Sequence, residues 1–436
     1  MSEKSSRFQG FYKKTISERI DIVKDWADLT TEEVDTLKKS LEPMGGENGN
    51  FFIENVIGVM QVPMGIATNF KINGKEYLVP LALEEASVVA AASNSAKVTL
   101  KHGGFQCTNS GPIMIGQIQC VNVSDPFSAK FKILEAKDEI IEKANAQDPI
   151  LIKFGGGCKD LEVRVLDTIR GPMVITHLIV NTGDAMGANA VNTMVEACAP
   201  IIERVTGGRV FLRILSNLAD RRIVRARAVF NKDELATETM TGEQVVEGIL
   251  EAYAFAAADS YRATTHNKGI MNAISPITVA TANDWRAIEA GAHAYASRSG
   301  HYTTLTTYEK DADGNLVGTI ELPLALGLVG GATRIHPIAK IAVKILGVTK
   351  ATELAEIVAS VGLAQNFGAL RALATVGIQA GHMRLHLRNL AYDVVKEHND
   401  DPALIDKITE IVLKEKSKKI TMDMVEKAYL QAKSKK

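Results

Sequence analysis

Cysteine is scarce in this chain, and its few cysteines are far apart. Four occur in 436 residues, at Cys107, Cys120, Cys158 and Cys198, and no two of them form a C-x-x-C pair. This spacing argues against a disulfide framework and against a zinc site, and it suits a reducing environment. We therefore expect a cytoplasmic protein without a structural metal.

Net charge and long apolar runs are also nearly absent. The formal net charge is −1, so the chain has no global basic field that would hold nucleic acid. No apolar run approaches the about 18 residues of a membrane span. The polar segment from Met1 to Arg7 leads into no apolar region typical of a signal peptide. We expect neither a nucleic-acid partner nor a membrane anchor.

The remaining composition is that of an ordinary globular protein. Hydrophobic residues make up 46% of the chain and charged residues 23%, which excludes wholesale disorder. A length of 436 residues favours about two to three domains.

The middle of the chain has its own order of elements. Alternating apolar residues predict four strands, and helical periodicity predicts two helices between them. The predicted strands lie at 112–123, 161–167, 173–180 and 209–215, and the predicted helices at 127–144 and 185–205. This β-α-β-β-α-β order is the ferredoxin-like arrangement. We therefore predict an α+β protein with a small domain, residues 111–219, inserted into a larger one.

The larger domain is predicted to be mainly helical and to comprise residues 1–110 and 220–376, followed by a C-terminal helical flap, 377–436. The predicted elements are helices over 15–42, a hairpin turning at Asn73-Gly74, a buried helix over 83–92, mostly helix over 220–376 with one hairpin near 302–322, and C-terminal helices broken at Asp400-Asp401-Pro402 and capped at Thr421.

Four separated segments carry the polar residues that together indicate one site. They are Glu54-Asn55-Val56-Ile57-Gly58, Asp184-Ala185-Met186-Gly187-Ala188-Asn189, His266-Asn267-Lys268-Gly269-Ile270-Met271-Asn272 and Gly381-His382-Met383. Each segment is a weak motif alone. In this order and at these separations they resemble the 3-hydroxy-3-methylglutaryl-CoA (HMG-CoA) reductase family, from about Ser6 to about Asn389. The missing membrane anchor fits the soluble second class of that family.

The resemblance implies a four-electron reduction. The HMG-CoA thioester would become mevalonate and free CoA, with two molecules of NADH or NADPH consumed. The resemblance also implies a homodimer whose site is shared between subunits, and it leaves higher oligomers open. Apolar helices over 50–95 would suit a large interface. The sequence does not decide whether the enzyme makes mevalonate for isoprenoid biosynthesis or oxidises it.

Four residues match the catalytic positions of the family: Glu85, Lys268, Asp284 and His382. The Lys268 ammonium would stabilise the developing alkoxide. Glu85, with Glu84 beside it and an apolar run after it, would donate a proton near neutral pH. Asp284 would lie between Lys268 and Glu85, and the three would titrate as a coupled set. His382 would protonate the departing CoA thiolate.

Each of these residues also has an ordinary interpretation. Lys268 is predicted to lie in a polar, glycine-bearing loop, where it could be a surface lysine. Glu84 and Glu85 could simply favour a helix start, and Asp284 could be an N-cap. His382 and His386 could bind a metal from one helical face, but no third ligand or HExxH motif stands nearby.

The resemblance makes the small inserted domain, 111–219, the nucleotide-binding domain and assigns the cofactor to the segment Asp184 to Asn189. This segment follows a predicted strand and opens a predicted helix, so backbone amides at the helix N-terminus would attract a phosphate. The positions concerned, with two polar neighbours, are Asp184, Met186, Gly187, Ala188, Asn189, Asn192 and Asn217. No G-x-G-x-x-G signature is present, and a role for Gly155-Gly156-Gly157 stays open. Asp148 matches an acidic position of NADH-using members, so we expect NADH rather than NADPH.

The acyl-CoA substrate is assigned to a second set of polar positions. They are Glu54, Asn55, Ser87, Arg262, Asn272, Gln365 and Asn366. Arg262 would hold the free carboxylate of the substrate in a bidentate grip, and its alternative is a surface ion pair.

Two rival functions remain at this point. One is a different nicotinamide-dependent oxidoreductase, or an acyl-CoA-binding relative that has lost its chemistry. The other is an RNA-binding module built on the β-α-β-β-α-β unit, but Val163-Arg164-Val165 and Val174 to His177 lack the expected aromatic pair.

Overall fold

The computed structural model describes residues 5–39, 55, 57, 60–375, 377–414 and 420–434, without the side chains of Tyr12 and of 378–386. Ten strands form two sheets in this part of the chain. They are β1 (Met64–Ile72), β2 (Lys75–Ala82), β3 (Phe105–Asn109), β4 (Ile113–Val121), β5 (Gly157–Leu166), β6 (Met173–Asn181), β7 (Arg209–Ser216), β8 (Ile223–Phe230), β9 (Thr306–Lys310) and β10 (Leu316–Pro323).

Sixteen α-helices accompany the two sheets in the described residues. They are α1 (Ile16–Ala27), α2 (Thr31–Lys39), α3 (Val88–Thr99), α4 (Pro126–Glu135), α5 (Lys137–Asn145), α6 (Pro149–Lys153), α7 (Ala188–Thr206), α8 (Gly242–Ala258), α9 (Ser260–Ala280), α10 (Trp285–Ala296), α11 (Gly331–Ile335), α12 (Pro337–Leu346), α13 (Ala351–Ala374), α14 (Ile378–Glu397), α15 (Leu404–Lys414) and α16 (Met422–Ser434).

The smaller sheet has the strand order β5-β6-β4-β7, and every neighbouring pair is antiparallel. Helices α4, α5 and α7 pack against it. The α+β class and the β-α-β-β-α-β order predicted from the sequence are confirmed. The predicted helix over 127–144 is in fact two helices, because the chain leaves helical geometry at Ala136 between α4 and α5.

The larger sheet has the order β2-β1-β3-β8-β10-β9. The β1–β2 hairpin is confirmed: Ile72 pairs with Lys75, and the turn residues Asn73 and Gly74 have φ of 48° and 84°. Positive φ at both positions is what a two-residue type I′ turn requires, and Asn-Gly tolerates it. The hairpin predicted near 302–322 is β9 and β10, which pair from Leu316↔Lys310 onwards.

Two strands of the larger sheet, β3 and β8, were missed by the sequence prediction. Strand β8 lies in the region predicted to be mostly helical, and it bridges β3 and β10. Its arginines Arg225 and Arg227 are exposed, while Ala226 and Ala228 between them are buried. This alternation is a strand signal of period two. The signal was weak because the buried positions carry alanine, which is small and only slightly apolar.

The helix predicted over 83–92 begins later than expected. Helix α3 starts at Val88, because Ser87 has φ of 77° in the left-handed region and a helix cannot pass through it. Glu84 and Glu85 therefore lie in a turn before the helix and not on its first turn.

Helix α13 forms the centre of the larger domain, packed against α3, α8, α9 and the sheet. Its 24 residues are long and apolar enough to meet the criteria for a membrane span, which the sequence prediction had found nowhere. The most apolar window of α13 is 67% buried inside the fold. We therefore interpret α13 as a core helix.

The two ends of the chain form smaller apolar cores. Helices α1 and α2 pack on β2 and α12 through Val23, Leu37, Leu78 and Ile345. The C-terminal helices α14, α15 and α16 bury a separate core of their own. The predicted break at residues 400–402 separates α14 from α15, and α16 begins directly after Thr421.

Candidate active site

The structure brings Lys268 and Glu85 together. The Lys268 Nζ atom lies 3.6 Å from Glu85 Oε2, with 64% and 38% of the two side chains exposed. This pairing joins helix α9 to the turn before α3, two elements separated by about 180 residues of sequence. An ammonium and a carboxyl at this distance can stabilise an oxyanion and donate a proton to it.

Lys268 is in the middle of helix α9 and not in a loop, so the sequence prediction for His266 to Gly269 was wrong. Asp259 caps the helix by accepting from Arg262 N at 2.8 Å. Asn267, one of the polar residues that suggested a loop, is buried and bonded to the segment before β9. Asn267 donates to Thr303 O at 2.8 Å and accepts from Leu305 N at 3.0 Å, which fixes the rotation of α9 next to Lys268.

The turn that carries Glu85 has a strained backbone. Ser87 is a non-glycine residue at φ of 77°, and its side chain makes no capping hydrogen bond to α3. Its hydroxyl is exposed and faces no protein partner within the described residues. Strain of this kind persists where the surroundings enforce it, and such residues cluster at functional sites.

Helix α9 presents several predicted site residues on adjoining faces. Lys268 and Asn272 are one turn apart, as are Arg262 and His266. Gly269 lies on the face between these two pairs, and a Cβ atom there would meet nothing within 4 Å. The helix therefore leaves open space between an ammonium on one side and a guanidinium on the other.

The interpretation of Asp284 as an N-cap is confirmed. Asp284 is the N-cap of α10, and its Oδ1 accepts from Arg286 N and Ala287 N at 3.1 Å each. Its carboxylate pairs with the Arg286 guanidinium at 3.2 Å. Within the chain as described, Asp284 makes no ion pair with Lys268.

The predicted cofactor segment forms the N-terminus of helix α7. Gly187 has φ of 101° and precedes the helix without a side-chain cap. A Cβ atom at this position would lie 2.3 Å from Thr182 Cγ2, so only glycine fits. The first helical bond is Val191 N to Gly187 O, and the amides of 188–190 are free of protein partners in the described chain. Such a terminus attracts a phosphate group.

Two other predicted cofactor residues, Asp184 and Asn192, hydrogen-bond to neighbouring elements of the fold. The Asp184 carboxylate accepts from Ala351 N at 2.8 Å, at the start of α13. Asn192 accepts from Leu215 N at 2.9 Å, which ties α7 to β7. Asn189 and Asn217 are exposed, and Met186 packs against the core.

Asp148 is the N-cap of the short helix α6, and its Oδ1 accepts from Leu151 N at 2.9 Å. The neighbouring glycine loop is tightly packed on one side, since a Cβ atom at Gly156 would lie 2.4 Å from Leu151 Cδ1. The carboxylate keeps one oxygen without a recorded bond in the described chain.

A family model described as hydroxymethylglutaryl-coenzyme A reductase matches residues 15–387. The chain belongs to the HMG-CoA reductase family. A reductase of this name from Archaeoglobus fulgidus is 57% identical over 411 residues, which are 94% of this chain and 92% of that protein.

Solved structures of HMG-CoA reductases share the fold. The enzyme from Streptococcus pneumoniae matches with a TM-score of 0.82 at 38% identity, over 98% of this chain and 99% of that one. A class II reductase from the same organism, bound to NADPH in open conformations, matches with a TM-score of 0.81 at 40% identity, over 85% and 100% of the two chains.

Arg222 is a residue of this HMG-CoA reductase fold that the sequence did not single out. It is 3% exposed and donates to Thr182 Oγ1 at 3.1 Å, Ala185 O at 3.2 Å, Met186 O at 3.3 Å and Leu326 O. Burial lowers the pKa of its guanidinium to about 10, opposed by the charge of Asp184. Arg222 thus stays charged at neutral pH and fixes the backbone just before Gly187.

Three buried polar atoms of the larger domain have no partner in the described chain. They are Arg262 Nη1, His266 Nδ1 and Gln365 Oε1. Arg262 and Gln365 were predicted to bind substrate, whereas His266 was not assigned a role. Asn366, also predicted to bind substrate, is buried and accepts from Thr306 Oγ1 at 3.1 Å and from Tyr308 Oη at 2.9 Å. Unpaired buried donors and acceptors are expected where a polar ligand completes the site.

Three predicted site residues lie at the edge of what the structure describes. Glu54 lies outside the described residues. Asn55 is exposed with φ of 56°. His382 lies in helix α14 and is among the residues whose side chains the structure does not describe.

Proposed function

We propose that this protein reduces HMG-CoA to mevalonate and CoA, with two molecules of NAD(P)H oxidised per thioester. The observation that carries the proposal is the Lys268–Glu85 pair at 3.6 Å, on the same helix as the unpaired buried donor of Arg262. An oxyanion stabiliser, a proton donor and a carboxylate-binding group are the three functions that reduction of this substrate requires.

The N-terminus of α7 supports the cofactor part of the proposal. Free amides at 188–190 and the glycine at Gly187 suit a pyrophosphate, and the side chains of Asn189, in the first turn of α7, and of Asn217 are exposed. When bound, NAD(P)H supplies the hydride equivalents. Asp148, through its unbonded carboxylate oxygen, would accept from a ribose 2′-hydroxyl and repel a 2′-phosphate, so we propose NADH as the preferred cofactor.

The residues of the chain act on the substrate in two stages. In the first, the Lys268 ammonium stabilises the oxygen of the thioester carbonyl as it becomes an alkoxide, and Glu85 supplies its proton. The hemithioacetal then returns its hydroxyl proton to Glu85 as its C–S bond breaks, and His382 protonates the departing thiolate. In the second stage the aldehyde carbonyl takes the place of the thioester, and Glu85 again supplies a proton to the new alcohol.

The first test is a stoichiometry measurement. Purified protein is mixed with HMG-CoA and either NADH or NADPH, while nicotinamide absorbance and released thiol are followed together. We expect two reduced cofactors oxidised per CoA released, with NADH the faster. Folded protein that oxidises neither cofactor would overturn the proposed reaction, and faster oxidation of NADPH would overturn the role of Asp148.

The role of His382 predicts a selective defect. His382→Gln removes the acid for the thiolate but leaves Lys268 and Glu85 in place. We expect reduction of HMG-CoA to fall about 100-fold or more, in line with the usual contribution of a positioned acid, while reduction of free mevaldehyde falls much less. Equal losses on the two substrates would remove the role assigned to His382.

We also propose a cytoplasmic homodimer, with the domain limits 1–110 with 220–376, 111–219 and 377–436. Apolar residues before β1 support an interface, since Ile57 and Met60 are almost fully exposed. The described part of 50–95 contains the β1–β2 hairpin and α3, so the several helices expected there are not seen. Within the described chain Asp284 pairs with Arg286 and not with Lys268, and we propose that it completes the site of the partner subunit.

Heterodimers test the shared site. Chains carrying Lys268→Met and Asp284→Asn are coexpressed with different tags and purified as the mixed pair; asparagine keeps the N-cap of α10. If Asp284 serves the partner, one site carries both defects and the other none, so we expect roughly half of the wild-type kcat per dimer. The matched control is the mixed dimer of Lys268→Met and Glu85→Gln chains. Because Lys268 and Glu85 of one chain serve the same site, each site then carries one defect, and this dimer should stay inactive. Inactivity of both pairs would place Asp284 in its own chain.

A further inference from the structure

His266 is a buried histidine with one ring nitrogen left unpaired. The residue is 2% exposed, and its Nε2 lies 2.6 Å from Thr306 Oγ1. The other nitrogen, Nδ1, has no hydrogen-bond partner in the described chain. A buried polar atom without a partner is unfavourable unless something else completes it.

The surrounding hydrogen bonds define which nitrogen carries the proton. Asn366 Oδ1 accepts from Thr306 Oγ1 at 3.1 Å, so the single proton of Thr306 is used there. His266 Nε2 must then donate to Thr306 Oγ1. Burial, with the positive charge of Arg262, lowers the pKa of His266 to about 3. The ring is therefore neutral at physiological pH, and Nδ1 is a lone pair that needs a donor.

Arg262, on the same face of α9, has an unpaired donor where His266 has an unpaired acceptor. Arg262 lies one helical turn before His266 on α9, and its Nη1 is a buried donor without a partner. Side chains with this spacing are about 5–6 Å apart at their Cβ atoms. A ligand that satisfies both must carry an anionic acceptor and, a short distance away, a hydroxyl donor.

We propose that His266 Nδ1 accepts a hydrogen bond from the tertiary hydroxyl of the HMG group while Arg262 binds its carboxylate. The inference rests on the proposed function. The hydroxyl-bearing carbon is two bonds from the carboxylate carbon, so the two groups suit residues one turn apart. His266 is then a specificity residue: an acyl-CoA without the hydroxyl leaves a buried acceptor unpaired, and its binding is weakened roughly tenfold to hundredfold.

The experiment is a cycle that removes the hydroxyl from the ligand and the acceptor from the protein. Dissociation constants of HMG-CoA and of 3-methylglutaryl-CoA, which lacks only the hydroxyl, are measured by calorimetry without nicotinamide. Wild-type protein should bind HMG-CoA roughly tenfold to hundredfold more tightly. His266→Gln keeps an amide donor near Thr306 but loses the acceptor, so both ligands should bind nearly equally.

Two further variants control the cycle. His266→Asn places an amide oxygen near the position of Nδ1 and should keep part of the discrimination, which also covers a His266→Gln protein that does not fold. Thr176→Val removes another buried unpaired hydroxyl, in β6 of the smaller sheet, and should leave both dissociation constants unchanged.

The outcomes separate this inference from the proposed function. Folded wild-type protein that does not bind HMG-CoA at all would contradict the proposed function itself. Wild-type protein that binds both ligands equally, or a His266→Gln protein that keeps the full preference for HMG-CoA, would overturn the assignment of His266 and leave the reaction standing.

Discussion

Replacing Lys268 by methionine should lower kcat for HMG-CoA reduction by about 10³-fold, the upper range seen when one group that stabilises an oxyanion is removed. Methionine keeps the length and the apolar stem of lysine but has no charge. Because the stem lies on helix α9, which is held by Asn267 and Asp259, the helix itself is not disturbed. The loss falls on the step in which the carbonyl oxygen becomes charged, so kcat changes far more than the dissociation constant of the substrate.

The stability of the protein provides the check on this prediction. The Lys268–Glu85 pair is largely exposed, with 64% and 38% of the side chains accessible, and exposed ion pairs contribute about 0–1 kcal/mol. Thermal unfolding should therefore be almost unchanged by Lys268→Met. Lys101→Met, at another exposed lysine just after α3, serves as the matched control and should change neither kcat nor unfolding. A Lys268→Met protein within tenfold of wild-type kcat would refute the role of the ammonium.

The parts of the fold that the sequence predicted correctly are those encoded by neighbouring residues. The turn at Asn73-Gly74 needs positive φ at two adjacent positions, and its sequence states this directly. Thr15 and Glu18 bond each other's backbones in a capping box at the start of α1. Local chemistry of this kind does not depend on the rest of the chain, which is why it can be read without a structure.

The mispredictions arose where distant contacts reverse a local preference. His266, Asn267 and Lys268 are polar and precede a glycine, so they indicate a loop. Residues 303–306, some 40 residues later, exchange hydrogen bonds with His266 and Asn267 and allow them to lie inside a helix. Likewise β8 was missed because its apolar residues are partly alanine, and its place between β3 and β10 is set by strands far away in the chain.

The site shows the same division. Lys268 and Glu85 were predicted as partners from the family resemblance, and the structure places them 3.6 Å apart. Asp284 was interpreted both as a residue between them and as an N-cap, and the structure shows that it caps α10. No pattern in the sequence states whether a residue serves its own subunit or a neighbouring one, because both arrangements leave the same local motif.

Arg222 illustrates what sequence alone could not supply, and it predicts the largest effect on stability. Its neighbour Arg221 is indistinguishable from it in a charged, arginine-rich segment. Arg221 pairs with Glu162 at 2.5 Å on the surface, with 46% and 43% of the side chains exposed. Arg222 is buried and donates only to neutral oxygens of the cofactor segment and of the loop at Leu326. The two arginines therefore form a matched pair of sites for the same substitution.

Arg222→Met should lower the free energy of unfolding by about 3–5 kcal/mol, because removing a buried hydrogen-bonded charge leaves several buried acceptors unpaired. Arg221→Met should lower it by no more than about 1 kcal/mol, the usual contribution of an exposed ion pair. Both values come from urea unfolding with an unchanged slope.

Arg222→Met should also weaken binding of the cofactor. Ala185 O and Met186 O, which Arg222 holds, lie directly before Gly187 and the free amides of α7. Without the guanidinium these amides lose their fixed direction, so the KM for NADH should rise at least tenfold while the dissociation constant of HMG-CoA changes little. The loop at Leu326 continues to Gly327, whose N–H donates to Asn283 next to Asp284. Arg222 thus connects the backbone that precedes α7 to the turn that carries Asp284. Equal unfolding energies for the two arginine variants would show that the buried contacts of Arg222 do not support this connection.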